Sequence, residues 1–338
     1  MHIEKNISLK PYNTFGVEAK ASFFTQIENI PQLQQALDFA TEHKLPVLAL
    51  GGGSNILFTR DFDGLAVLLR MKGITETFVD DNHVLVTASA GENWHQFVSS
   101  CVEKNYGGLE NLSLIPGNVG TAPMQNIGAY GTEIKDAFAH CKVLNTETRE
   151  LETFTLEDCC FGYRDSFFKK HKGKYIILEV TFRLTTHNHH LNTEYGAIRS
   201  ELAKMNITKP TIQDIAKAVI SIRQSKLPDP KVTGNAGSFF KNPVIPATQF
   251  EGLKSKYPDI PGYMQHDAVK IPAGWLIEHS GWKGKQIGNV ATHAHQALVI
   301  INATGNATGR EIYDFSGQII DTVRHLYGIQ LEREVNII

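Results

Sequence analysis

A chain of 338 residues carrying 33 Lys and Arg against 35 Asp and Glu has a formal charge of −2, too weak a field to recruit nucleic acid or an anionic membrane. The length suits two or three domains with a substantial core, and no apolar run approaches the roughly 18 residues of a membrane helix. Cys101, Cys141, Cys159 and Cys160 show no C-x-x-C spacing, and Met1–Asn6 lacks a basic stretch followed by an apolar one. A cytoplasmic protein with free thiols is therefore expected.

In chain order, Ser22–Thr25 reads as a strand, and a helix is expected from Pro31, with Leu33, Ala36, Leu37 and Ala40 as its buried stripe. Leu45–Leu50 reads as a buried strand that runs into Gly51-Gly52-Gly53-Ser54-Asn55. Strands follow at 65–69, 76–80 and 84–88. The apolar spacing of Trp94, Phe97, Val98, Cys101 and Val102 predicts an amphipathic helix ended by Asn105–Gly108. Further strands are expected at 139–145, 151–155 and 174–183. Thr211 with Asp214 caps a helix through Ile215, Ala216, Val219 and Ile222, which Pro228 stops. A helix near 272–278 and a strand at 297–301 precede a second capping box, Thr308 with Glu311, on a helix closed by Gly328. Residues 329–338 read as a strand with Glu332 and Glu334 on one side. His187, His189 and His190 lie in a polar linker, and His293 and His295 have no third ligand in view, so no metal is expected.

Three stretches carry chemistry. Gly51–Asn55 follows a strand, where backbone N–H groups converge on an anion, although a plain tight turn has the same composition. No Gly-Lys-Ser/Thr follows and the spacing is not G-x-G-x-x-G, so neither familiar phosphate loop applies. The segment 114–131 holds four glycines and two prolines without a usable period, and so long an irregular stretch points to function. With Gly51–Asn55 it offers enough N–H groups to hold a pyrophosphate between two loops. Lastly, Gly234-Asn235-Ala236-Gly237-Ser238-Phe239-Phe240-Lys241-Asn242-Pro243 sets one hydroxyl between special backbone and aromatic anchors, with an ordinary turn leading into a core strand as the bland alternative. In Phe161-Gly162-Tyr163-Arg164-Asp165-Ser166, Arg164 is either half of a surface ion pair or a fixed guanidinium aimed at a carboxylate.

Taken together, Leu50–Asn55, Ile115–Gly131, Phe161–Ser166, Lys226–Pro243 and Leu331-Glu332-Arg333-Glu334-Val335 resemble the flavoenzyme family of UDP-N-acetylenolpyruvoylglucosamine reductases. The resemblance covers nearly the whole chain, and Asn192-Thr193-Glu194-Tyr195-Gly196 is similar to the tyrosine loop of the family's type I branch. It implies an α+β architecture: a vanillyl-alcohol-oxidase-like (PCMH) FAD-binding fold of two α/β subdomains, 1–70 with the C-terminal strand 328–338, and 71–227. A third, substrate-binding domain spans 228–327. It also implies NADPH-dependent reduction of UDP-N-acetylglucosamine enolpyruvate to UDP-N-acetylmuramate through non-covalent FAD, by a cytoplasmic monomer of peptidoglycan synthesis.

By the same resemblance Ser238 is the proton donor, with Arg164 and Glu334 the other catalytic residues. Tyr163, Tyr195, Lys226 and Asn242 hold the UDP-sugar. FAD contacts fall to Gly51, Gly52, Gly53, Ser54 and Asn55, and to Pro116, Gly117, Gly120, Thr121, Gln125, Asn126, Gly128, Ala129, Tyr130 and Gly131. Arg333 stands where the family often has proline, and Thr121-Ala122 replaces a more Ser-rich pair. Two other readings compete: a different FAD enzyme of the same fold, such as a small-alcohol or sugar oxidase, and a nucleotide- or sugar-binding protein without catalysis.

Overall fold

Period-two alternation builds the largest sheet. In the computed structural model, which describes residues 1–338, strand His83–Ser89 buries Val84, Val86 and Ala88 on one face. It pairs antiparallel with Ile74–Asp80 on one side and Tyr175–Thr185 on the other, and Phe138–Asn145 and Leu151–Thr155 complete five strands. Helix Trp94–Glu103 lays Trp94 and Phe97 on this sheet, where both rings meet Phe182 at 5.7 and 5.4 Å.

A second sheet runs in the order Glu4–Ser8, Lys20–Ile27, Phe62–Leu69, Val47–Leu50. Its last pair is parallel, in keeping with the continuous apolar run of Leu65–Leu69. Helix Ile30–Glu42, capped by Asn29, packs Leu33, Ala36, Leu37 and Ala40 into one core with Ile27, Leu65, Val67 and Leu69. These elements belong to one compact unit, Met1–Ile7, Ala21–Gly53 and Asp63–Ser225.

The other unit comprises Ser8–Lys20, Ser54–Phe62 and Lys226–Ile338. Its main sheet is ordered Asn235–Ser238, Val299–Asn302, Val290–Thr292, Gln286–Ile287, beside a three-stranded sheet of Val244–Pro246, Ala268–Lys270 and Tyr263–Gln265. Helix Gly309–Tyr327 begins with the expected reciprocal cap: Glu311 N–H donates to Thr308 Oγ1 at 3.2 Å and Thr308 N–H to Glu311 Oε2 at 2.7 Å. It ends on Gly328 at φ +66°.

Three expectations change. Residues 329–338 are not one strand: only Asn336–Ile337 is, pairing parallel with Ile56–Leu57, and upstream a single bridge joins Arg333 to Phe240. Glu332 consequently stands with its side chain 68% exposed whereas Glu334 is buried. The 114–131 segment is not wholly irregular, because Val119–Gln125 forms a 3₁₀ turn stopped by Asn126 at φ +45° and Gly128–Ala129 pairs with Thr132–Glu133. Finally, only Gly237 needs a left-handed backbone, at φ +69°; Gly234 is required by space, since a Cβ there would run into the Phe15 carbonyl.

Candidate active site

In the first unit, the strand-terminal glycines and the 114–131 segment lie backbone to backbone. A Cβ on Gly51 would come 2.5 Å from Thr121 Cγ2, and one on Gly52 would come 2.8 Å from Gly117 Cα. The segment is fixed from behind: Trp94 N–H donates to Gly117 O, Val119 N–H to Glu92 O and Gly120 N–H to Ala90 O, at 2.9–3.0 Å. By contrast, the N–H groups of Gly52, Gly117 and Asn118 have no acceptor in the protein. Three such donors on two abutting loops form an anion cradle that suits a dinucleotide's diphosphate. The residues present therefore fit FAD.

The far end of the segment meets Arg164. Gly162 and Asp165 exchange backbone hydrogen bonds in a tight turn that holds Arg164 at φ +52°. Its Nη2 donates to Gly128 O at 2.8 Å, and its carbonyl accepts from Lys169 Nζ at 2.9 Å. Asp165 pairs with Lys170 at 3.2 Å. The bond to Gly128 O restrains the guanidinium, as the fixed-guanidinium alternative requires. Its guanidinium also lies 5.5 Å from the centre of the Tyr163 ring.

Asn126 is fully buried, and its side chain is used within the fold. Nδ2 donates to Glu133 Oε2 at 2.9 Å and Gly162 O at 3.1 Å, while Oδ1 accepts from Lys135 N–H at 3.2 Å. Tyr130 meets Tyr195 edge to face at 5.5 Å. The Tyr195 stretch is moored upstream, where Asn192 Nδ2 donates to Gly131 O and Asn111 Nδ2 donates to both Asn192 O and Tyr130 O. Tyr195 itself stays 53% exposed.

Arg223, Asn111 and His95 escaped the sequence reading. Arg223 Nε donates to Leu114 O at 3.2 Å, and His95 Nδ1 accepts from Leu114 N–H at 3.1 Å. Protein crowding lowers the pKa of Arg223, and Arg164 adds to that effect; crowding and then Arg223 lower that of His95. Burial raises the Tyr130 phenol, an effect that Arg223 opposes. One signal was available: Arg223 falls four residues after Val219, on the side of its helix that carries the buried stripe.

In the second unit, Asn235 organises the Ser238 stretch. Its Nδ2 donates to Pro228 O and Thr233 O at 3.1 and 2.8 Å, and its Oδ1 accepts from Gly237 N–H at 2.9 Å. Asn235 pairs with Ile301 and Ser238 with Val299, and the register shift between them makes a bulge at the glycine. Bulges re-aim side chains, and here the re-aimed residue is Ser238. Phe239 and Phe240, nearly inaccessible, anchor the next two positions.

Glu334 N–H donates to Phe239 O at 2.8 Å, and Lys241 N–H to Glu332 O at 2.9 Å. The serine and the carboxylate are thereby brought onto adjoining chains. Arg333 swings outward, with Nε on Ser316 Oγ at 2.8 Å and its guanidinium 4.2 Å from the Tyr313 ring centre. Asn55 joins this group, as its Nδ2 donates to Glu334 O at 3.4 Å. Asn242 Oδ1 accepts from Ala273 N–H at 2.9 Å, and Lys226 is exposed at the end of its helix. No group of three or more His, Cys, Asp or Glu is arranged to hold a metal ion.

Comparison with known proteins agrees with this arrangement. Residues 21–153 match a family described as an FAD binding domain, and residues 229–338 match the C-terminal domain of UDP-N-acetylenolpyruvoylglucosamine reductase. The reductase of that name from Flavobacterium johnsoniae is 51% identical over 340 residues, covering 100% of both chains. That of Pseudomonas syringae pv. tomato is 46% identical, covering 100% of this chain and 99% of its own. The crystal structure of the Thermus caldophilus enzyme superposes with a TM-score of 0.68 over 100% of this chain and 99% of that one; at 22% identity this speaks to the fold. Mixed α/β units, an FAD-binding half and full-length identity near one half place the chain in the UDP-N-acetylenolpyruvoylglucosamine reductase family.

Proposed function

We infer that the chain performs its family's reaction, as an FAD-dependent UDP-N-acetylmuramate dehydrogenase of peptidoglycan precursor synthesis that draws its electrons from NADPH. The observation that carries this reading is the 51% identity sustained over the full length of both chains. FAD, when bound, supplies the hydride delivered to the enolpyruvyl group.

The rest is the work of side chains. Ser238 Oγ is assigned the proton delivered to C2 of the enolpyruvyl group, where a positioned general acid contributes about 10²–10⁴ in rate. Arg164, its guanidinium fixed by Gly128 O, is assigned the carboxylate into which charge moves. Glu334, when protonated, is assigned to assist Arg164 at that carboxylate, and its backbone tie to Phe239 beside Ser238 supports a place at the site. Asn242 Nδ2, Lys226, Tyr163 and Tyr195 are assigned to the UDP-sugar, and the two glycine loops to FAD. The mooring of Asn192 and the exposure of Tyr195 support a type I tyrosine loop that closes over substrate. We propose domains at 1–70 with 328–338, 71–227 and 228–327, and a monomer acting in the cytoplasm.

Stopped-flow absorbance tests the serine. In Ser238→Ala, NADPH should bleach the flavin at the wild-type rate while reoxidation by the enolpyruvyl sugar nucleotide slows by about 10²-fold or more. Equal impairment of both half-reactions would remove Ser238 from the acid role.

A further inference from the structure

Arg164 holds a backbone state that its residue type disfavours. It is the second central residue of the turn closed by Gly162 and Asp165, and its φ of +52° belongs to a position that ordinarily takes glycine or asparagine. A left-handed residue with a side chain persists only where its surroundings over-determine it. Relaxation to negative φ would rotate the side chain relative to the turn and carry the guanidinium off Gly128 O.

Two contacts besides the turn's own hydrogen bonds oppose that relaxation. One is the bond from Nη2 to Gly128 O at 2.8 Å, which acts at the tip of the side chain. The other acts on the backbone itself, where Lys169 Nζ donates to Arg164 O at 2.9 Å, a charge-assisted bond. The base of the lysine is fixed as well. Its N–H donates to Ser166 Oγ at 3.2 Å, and that hydroxyl, on a fully buried residue, donates to Met124 O at 2.7 Å. Phe168, 1% exposed, anchors the neighbouring position of the same four-residue helix, Phe167–Lys170. Backbone and guanidinium of Arg164 are thus both referred to the 114–131 segment, one through Lys169 and Met124, the other through Gly128.

We propose that Lys169 is a positioning residue for Arg164: its ammonium holds the left-handed turn that sets the guanidinium against the substrate's carboxylate. The lysine touches no reacting atom and acts by keeping the competent arrangement populated. Where only a fraction of molecules is competent, apparent affinity falls by that fraction. The proposal rests on the assignment of Arg164 to the carboxylate.

UDP-N-acetylmuramate carries that carboxylate on its lactyl ether, and UDP-N-acetylglucosamine lacks it. The ratio of their dissociation constants on FAD-loaded protein, from calorimetry, therefore isolates the carboxylate contact. Wild type should prefer the muramate. In Lys169→Met that preference should fall about tenfold, the low end of what a charged hydrogen bond contributes, while affinity for UDP-N-acetylglucosamine changes less than about twofold. Lys169→Arg, which keeps a cationic donor, should recover about half or more of the loss on a logarithmic scale. In Arg164→Ala, adding Lys169→Met should change the ratio less than about twofold, because the lysine works through the arginine.

A Lys169→Met protein that keeps the wild-type preference would overturn the proposal and leave the role of Arg164 standing. Equal weakening of both ligands, or failure to fold, would make the lysine structural. A further loss on top of Arg164→Ala would make it a direct substrate contact instead. Wild type that binds the two sugar nucleotides alike would remove the carboxylate role of Arg164 and this proposal with it.

Discussion

The backbone N–H of Glu334 donates to the carbonyl of Phe239 at 2.8 Å, so an acidic residue far along the chain is locked one residue from Ser238. The bond is made by main chain, so a change of the side chain does not remove it.

That independence makes Glu334→Gln informative. It should be reduced by NADPH normally, while its reoxidation by the enolpyruvyl substrate slows by about 10²–10³, the usual effect of losing one transition-state contact. Matched slowing of flavin reduction in stopped-flow traces would count against a role confined to the substrate.

Asn126→Ala tests whether that residue organises the loop from within. Three part-buried hydrogen bonds, to Glu133, Gly162 and Lys135, disappear, for about 2–4 kcal/mol of destabilisation. Urea unfolding should show this as a lower midpoint with little change in slope. A loss below about 0.5 kcal/mol would mean that the network is dispensable.

The two glycines of the Ser238 stretch should respond differently to alanine. At Gly237 the added Cβ meets open space but inherits φ +69°, costing about 1–2 kcal/mol. At Gly234 it lands on the Phe15 carbonyl, and backbone must move. Thermal melts should therefore place Gly234→Ala well below Gly237→Ala, and the reverse order would refute the spatial account of Gly234.

Acid should loosen the helix caps. Backbone N–H groups of Thr308 and Thr211 hold the Glu311 and Asp214 carboxyls below their ordinary pKa values of 4.5 and 3.8. With the folded pKa depressed, the contribution is complete above the unfolded value and is lost as pH falls through the folded one. The stability gap between wild type and Glu311→Gln should thus be constant near neutrality and close below about pH 4.5. A gap that widens in acid, measured by urea titration at stepped pH, would contradict the capping geometry.

Much of this molecule was legible in its sequence where one physical rule dominates. The stripe Leu33, Ala36, Leu37 and Ala40, the helix through Trp94 and Phe97, and the Thr308–Glu311 cap follow from period and local hydrogen bonding, and all stand in the structure. The C-terminal segment misled because its alternation suggested a ladder, whereas Arg333 leaves it to bond Ser316. Asn111, Asn126 and Asn235 were equally hard to read. Their work is to satisfy carbonyls distant in sequence, and an asparagine's composition says nothing about which carbonyl it will meet.

The parallel pairing of Asn336–Ile337 with Ile56–Leu57 also has a kinetic side. Residues 56 and 57 emerge from the ribosome 280 positions before the strand that completes them, a wait of about 14–56 s at 5–20 residues per second. Throughout that interval Leu57 and Phe58, which end almost wholly shielded from solvent, are sticky nascent-chain surface. Yield in cells should accordingly depend on chaperone supply more than the finished fold's stability would suggest.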